Sequence, residues 1–253
     1  MTSPPSHSSG KMFHLIARIF VIVVTCMLIS CIEGHEEIWI ESDGSGRAEV
    51  SYSLPAAAAK LRGGEVGIQK MVAEMLGKIT ALHDTSCQVS TVDDRLNVQV
   101  KAAFKSALDL KDLAKGESMK KLPPAATNLA GKVEAKIDGL SIDFSRTISP
   151  GLALPGAIFM PASQFEGKNL TYIIHLPKAA TASNATRIEN AGRTLIWDFP
   201  LSEAIKAPIV TKFNAPIPVP AWAIIAIFGT VLLLVWILIR KIKKTTPISG
   251  MTS

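Results

Sequence analysis

The chain has 253 residues, a formal net charge of +6 and 48% apolar residues. Six of its 27 Lys and Arg flank two apolar segments: Lys11 and Arg18 before Cys31, and Arg240, Lys241, Lys243 and Lys244 after Ile239. The remaining 21 face 21 Asp and Glu, so the middle of the chain is formally neutral. The excess cations sit where membrane orientation needs them, and no basic surface is left for nucleic acid.

From the start, Lys11 and Arg18 precede the short apolar run Ile19–Ser30. As a helix that run spans about 18 Å, short of the roughly 30 Å hydrocarbon core, which is the layout of a secretory signal. It ends in Leu28-Ile29-Ser30-Cys31. An aliphatic residue, small neighbours and a cysteine form a lipobox, in which the thiol of Cys31 becomes the lipid attachment point. The alternative is an uncleaved anchor over residues 12–32, which would bury Arg18 or force it to snorkel. Of Cys26, Cys31 and Cys87, only Cys87 then survives as a thiol, and no intramolecular disulfide forms. The domain must rest on an apolar core.

After Cys31, Glu36–Glu41 is a short strand, and Asp43-Gly44-Ser45-Gly46 is turn chemistry. Ala48, Val50, Tyr52 and Leu54 alternate with polar residues, completing a β-hairpin. Apolar residues at helical spacing predict an amphipathic helix over residues 66–82, laid on the sheet. A second hairpin follows, with Cys87, Val89 and Thr91 on one arm, Asp93-Asp94 at the tip, and Leu96 to Phe104 on the other. Leu108, Leu110 and Leu113 suggest a short helix, and residues 120–131 read as a loop. Strands resume at Val133–Ile137, Leu140–Phe144, Leu170–Leu176 and Leu195–Phe199. Hairpins with interspersed helices and no βαβ rhythm predict an α+β fold on antiparallel sheet with packed helices.

Between these strands lies a segment that is punctuated like a loop and apolar like a core, Pro150 to Pro161. Its Leu152, Leu154, Ile158, Phe159 and Met160 must be satisfied by core, lipid or ligand. Leu152 and Leu154, just after a strand, are expected to fold back; Ile158 to Met160 are expected to face outward.

The chain closes on Ala221–Ile239, 19 residues without a charge, about 28 Å as a helix. Trp222 and Trp236 stand near its two ends, where interfacial aromatics belong, and Arg240 and Lys241 begin a basic flank that fixes the tail inside. Pro216, Pro218 and Pro220 stiffen the approach. The expected organisation is a signal peptide over 1–30, an extracytoplasmic domain over 31–215, a proline-led transmembrane helix over 216–240 and a cytoplasmic tail over 241–253. In a two-membrane cell, a spanning helix puts the protein in the cytoplasmic membrane. Acylation would then pin the N-terminus as well, holding both ends of the domain against one bilayer face.

The residue inventory offers little chemistry. His35-Glu36-Glu37 alternates between two faces and cannot converge on a metal; a solvated strand edge is the better reading. His83, Asp84 and Cys87 are too few for zinc. There is no nucleophile elbow and no P-loop, and Asp198 is expected on the polar face of its strand. The expectation is no enzyme, no catalytic residue, no metal and no cofactor.

The lipobox at Cys31, the strand Ile38-Trp39-Ile40 with Asp43-Gly44-Ser45-Gly46, the block His175-Leu176-Pro177, and Thr194-Leu195-Ile196-Trp197-Asp198 occur in this order before the C-terminal apolar run. This arrangement resembles the LppM-type envelope lipoproteins of actinobacteria; Lys178 departs from their Leu-Pro-Gly pattern. The resemblance implies an α+β, partly barrel-like ectodomain and binding of a membrane lipid or lipid-linked glycan. The expected function is therefore non-catalytic binding of an apolar or lipid-like envelope component. The rival is a scaffold that recruits a protein partner through a sheet edge or the 150–161 segment. An enclosed apolar cavity between sheet and helix would favour the binder.

Overall fold

Glu33–Ile40 (β1) and Gly46–Pro55 (β2) pair antiparallel across a turn built by short polar side chains. The Asp43 carboxylate accepts the Ser45 N–H at 2.9 Å and the Ser45 hydroxyl at 2.6 Å. Those bonds, the side-chain one first, hold the Asp43 pKa below its usual value. Gly44 takes the left-handed conformation the turn requires. A computed structural model describes residues 33–60, 63–107, 124–153, 157 and 160–217, all within a unit that ends at Ile217.

The helices are α1 (Ala56–Lys60), α2 (Gly64–Leu76), α3 (Pro124–Ala130), α4 (Pro150–Ala153) and α5 (Leu201–Ala204). The later strands are β3 (Leu82–Val92), β4 (Arg95–Phe104), β5 (Lys132–Asp138), β6 (Ser141–Ile148), β7 (Asn169–His175), β8 (Ala182–Ser183), β9 (Arg187–Glu189), β10 (Thr194–Pro200) and β11 (Ile209–Pro216). They form a seven-stranded sheet in the order β3-β4-β2-β1-β7-β10-β9 and a four-stranded sheet in the order β5-β6-β11-β8. Asp93 and Asp94, both at positive φ, make the two-residue loop of the β3–β4 hairpin.

Register places most large apolar side chains of the long sheet on one face, with Trp39, Ile173 and Ile196 on the other. Leu96 and Val98 of β4 lie opposite Leu54 and Tyr52 of β2; Ile38 of β1 lies between Ala48 and Ile174; Leu195 and Trp197 of β10 lie opposite Ile174 and Tyr172 of β7. That face has two covers. Over β3, β4 and β2 lies α2, whose buried Ile68 and half-buried Met71 and Val72 join Ala59, Leu96 and Val98. Over β7 and β10 lies the short sheet, whose Ile148, Ile209, Phe213 and Ala215 share a core with Leu170, Leu195 and Trp197. Asn184 staples the two layers: its side-chain carbonyl accepts the Trp197 indole N–H at 2.8 Å and the Lys212 N–H at 2.7 Å, and its amide donates to Val210.

Several expectations change. Neither sheet closes on itself, so the domain is an α+β open sandwich with a helical flank rather than a barrel. β1 is central, not an edge, and its pairing with β7 is parallel. The helix expected over 66–82 stops at Leu76, before Gly77, and Leu82 belongs to β3. The 120–131 stretch contains α3. β11 was not expected at all, because its inward residues are only Ile209, Thr211, Phe213 and Ala215, bracketed by Pro208 and Pro216. Among the described residues no helix is long and apolar enough to cross a membrane; the run over 221–239 lies outside them, as do Leu108, Leu110 and Leu113.

Candidate functional site

Charge sits at the centre of the shared core. Glu36 of β1 alternates in phase with Ile38 and Ile40, so its carboxylate enters the apolar face and is only 8% exposed. Arg146 of β6 reaches it from the short sheet: Nη1 donates to Glu36 Oε2 at 2.6 Å, and Nη2 lies 3.4 Å from Oε1. The remaining guanidinium donors go to the carbonyls of Ala130 at 2.8 Å and Leu129 at 3.0 Å. The Tyr52 hydroxyl donates to Glu36 Oε1 at 2.6 Å. Burial opposes the Arg146 charge, but the Glu36 carboxylate outweighs it and the guanidinium pKa is raised. Burial first, and the Glu36 charge second, push the Tyr52 and Tyr172 phenols well above their usual range. The Tyr172 hydroxyl is buried and has no hydrogen-bond partner among the described residues. This cluster locks one sheet onto the other; its groups are enclosed by protein.

The opposite face of the long sheet is polar. Arg47, Trp39 and His175 are register partners on β2, β1 and β7. The Arg47 guanidinium lies 4.2 Å from the Trp39 ring centre, and the His175 ring stacks on Trp39 at 5.2 Å. His175 Nε2 lies 2.7 Å from Glu37, and Nδ1 lies 3.1 Å from the Thr194 hydroxyl. Acid, imidazole and hydroxyl stand in the order a hydrolase would use, but Thr194 is buried and accepts the Asn190 amide at 2.8 Å. Both contacts hold the Thr194 hydroxyl within the ladder. Asp198 is on this face, accepting the Thr171 hydroxyl at 2.9 Å. Among the described residues no group of three or more His, Cys, Asp or Glu is placed to hold a metal.

Exposed apolar side chains mark the two ends of the sandwich. At one end, Glu33 begins β1, Lys168 pairs with it, and Leu201 donates its N–H to the Lys168 carbonyl at 2.8 Å. Here α4 packs so closely on Ile205 that Gly151 has no room for a side chain, and Leu152 stands 69% exposed. At the other end, Ile217 donates its N–H to the Leu140 carbonyl at 2.7 Å. Leu140 is 68% exposed and Ile137 is 48% exposed at this β5–β6 tip. The eight residues of β6 separate the ends, about 24 Å of strand.

Of the residues singled out by sequence, Leu152 is exposed, not folded back, and Met160 is half-buried against the core, not outward. Leu154, Ile158, Phe159, Cys31, Trp222, Trp236, Arg240 and Lys241 lie outside the described residues. His35 and Glu37 share the outer face at 3.6 Å, with Glu36 on the inner face, as alternation requires. Cys87 is half-buried under α2, and burial raises its pKa. Sequence reading missed the Glu36–Arg146–Tyr52 cluster. The signal was present: each of these residues falls in phase with the apolar side of its strand.

Two clefts are open at the surface and lined mainly by polar side chains. One, of about 530 Å³, runs along β3 past Gln69, Gln88 and Gln99. The other, of about 440 Å³, lies at the Glu33 end beside His35, Ser51, Asn97 and Asn169. Neither is an enclosed apolar cavity.

No family model matches the chain, and no curated protein matches it. Among solved structures it is similar to the folded domain of a Mycobacterium tuberculosis protein determined by NMR, at 13% identity and a TM-score of 0.47. The match covers 75% of this chain and 92% of that one. That neighbour is LppM.

Proposed function

We propose that the chain is a non-catalytic envelope module that lies along a bilayer and binds membrane lipid through the apolar side chains at its two ends. Cys31 and the apolar run over 221–239 are its anchors, with the domain outside the cytoplasm. The observation that carries the reading is the coincidence of two features. The described chain begins at one end of the sandwich and stops at the other, and each end bears exposed apolar side chains: Leu152 beside the Glu33 end, and Ile137 and Leu140 beside Ile217. Anchors at both ends lay the strands along the membrane, where each such side chain gains about 1.5–3 kcal/mol on full burial. The open, polar clefts argue for lipid held at the surface rather than swallowed.

Vesicle flotation of residues 32–217 tests this reading. The wild-type domain should float with liposomes, and the triple variant Ile137→Ser, Leu140→Ser, Leu152→Ser should bind several-fold less at an unchanged melting temperature. Absence of wild-type flotation would contradict it. A scaffold is the second reading, favoured by the long free edge of β3.

A further inference from the structure

Four strands form the edges of the two sheets, and three of them are blunted. β8 and β9 have two and three residues. β5 carries Lys132, Glu134, Lys136 and Asp138 at every second position, a charge pattern that resists strand addition. β3 differs. A bulge disrupts it between His83 and Ser86, but from Ser86 to Val92 it runs regularly and bears no charge.

The two-residue Asp93-Asp94 loop makes Val92 and Arg95 a hydrogen-bonded pair, so Ser90 and Gln88 also bond inward to β4. Cys87, Val89 and Thr91 therefore turn their backbone groups outward. Gln69 of α2 confirms the direction, since its amide donates to the Cys87 carbonyl at 3.3 Å. The Val89 and Thr91 N–H and C=O groups have no strand beyond them among the described residues. The 530 Å³ cleft along this edge is lined by Gln69, Gln88, Val89, Ser90, Asn97 and Gln99, without an ionisable group.

We propose that two copies of the chain join through this edge, β3 to β3, antiparallel about a two-fold axis at Val89. Val89 then faces its counterpart, Cys87 faces Thr91, and Gln88 faces Ser90, so no like charges meet. Paired residues in a sheet point to the same side, so α2 and its counterpart cover one face of the joined sheets. The flank of α2 that reaches the edge carries Val66, Gln69 and Ala73 at spacings of three and four, and Val66 is 78% exposed. The two-fold brings these flanks together and covers Val66. A copy of the same chain fits better than a foreign strand because every facing pair is neutral and the apolar helix flank is matched by itself. The axis is normal to the sheet. The pairing does not depend on the proposed tethering.

The experiment uses the full chain in detergent, with light scattering for the protein mass. Wild type should have twice the monomer mass. Gln88→Lys with Ser90→Lys, which sets a lysine opposite a lysine at solvent-facing positions, should raise the dimer dissociation constant at least tenfold without changing the circular dichroism melt. Val89→Cys in a Cys87→Ser background should cross-link to a disulfide dimer under mild oxidation, as directly opposed strand residues permit. A monomeric wild type overturns the proposal, whatever foreign strand β3 may bind. So does a dimer that survives the lysine pair unchanged, or one in which Val89→Cys fails to cross-link. Loss of vesicle flotation leaves this result untouched, so the two readings fail separately.

Discussion

Glu36 and Tyr172 show how differently two buried polar groups behave on one sheet face. Glu36 is fully answered by Arg146 and Tyr52, whereas the Tyr172 hydroxyl is answered by nothing described. Removing a partner strands a charge, while removing an idle hydroxyl strands nothing. Arg146→Met should therefore cost about 3–5 kcal/mol in chemical denaturation. Tyr52→Phe should cost about 1.5–3 kcal/mol, since it takes a bond from a carboxylate. Tyr172→Phe should be neutral or stabilising. A large loss from Tyr172→Phe would mean that its hydroxyl is bonded after all. Alkali offers a second view of the same pair. Below about pH 10 both phenols are neutral, folded or unfolded, and contribute a constant stability. Above it the unfolded chain releases protons that the folded chain retains, because both folded pKa values are raised. Stability should fall as pH climbs through and beyond 10. Part of that loss should vanish in the two Phe variants, read as denaturation midpoints between pH 8 and 11.

The elements were legible where one face is apolar and the period is clean. β2 and β4 alternate cleanly, β7 and β10 do so except at Ile173 and Ile196, and the Asp43 and Asp93 turns announce themselves by residue type. What sequence could not show was partnership. β1 and β7 are separated by more than a hundred residues and pair in parallel, a relation that no local pattern encodes. β11 hides because Thr211 and Ala215, a polar and a small residue, take inward positions beside Arg146 and Ile142. Of the site, Leu152 was visible as an apolar residue needing an explanation, but its exposure follows from α4 closing on Ile205, a tertiary fact. Asn184, in a polar stretch without periodicity, gave no sign of joining both layers. Its replacement by Ala should free the Trp197 indole and the Lys212 N–H and lower stability by about 1–3 kcal/mol. An unchanged urea midpoint would show that water replaces it.

For the whole molecule, the direction in which the chain leaves matters more than any single contact. A domain whose ends emerged together could stand off the membrane on two stalks. Here Glu33 and Ile217 lie at opposite ends of the strands. Under the double anchor proposed above, orientation decides which side chains meet lipid. The most direct test places an environment-sensitive fluorophore at Leu140→Cys or Leu152→Cys, with Cys87→Ser, on the full chain in nanodiscs containing brominated lipid. Strong quenching is expected at both positions. Quenching at only one position, or at neither, would show that the domain does not lie along the bilayer and would contradict the proposed orientation.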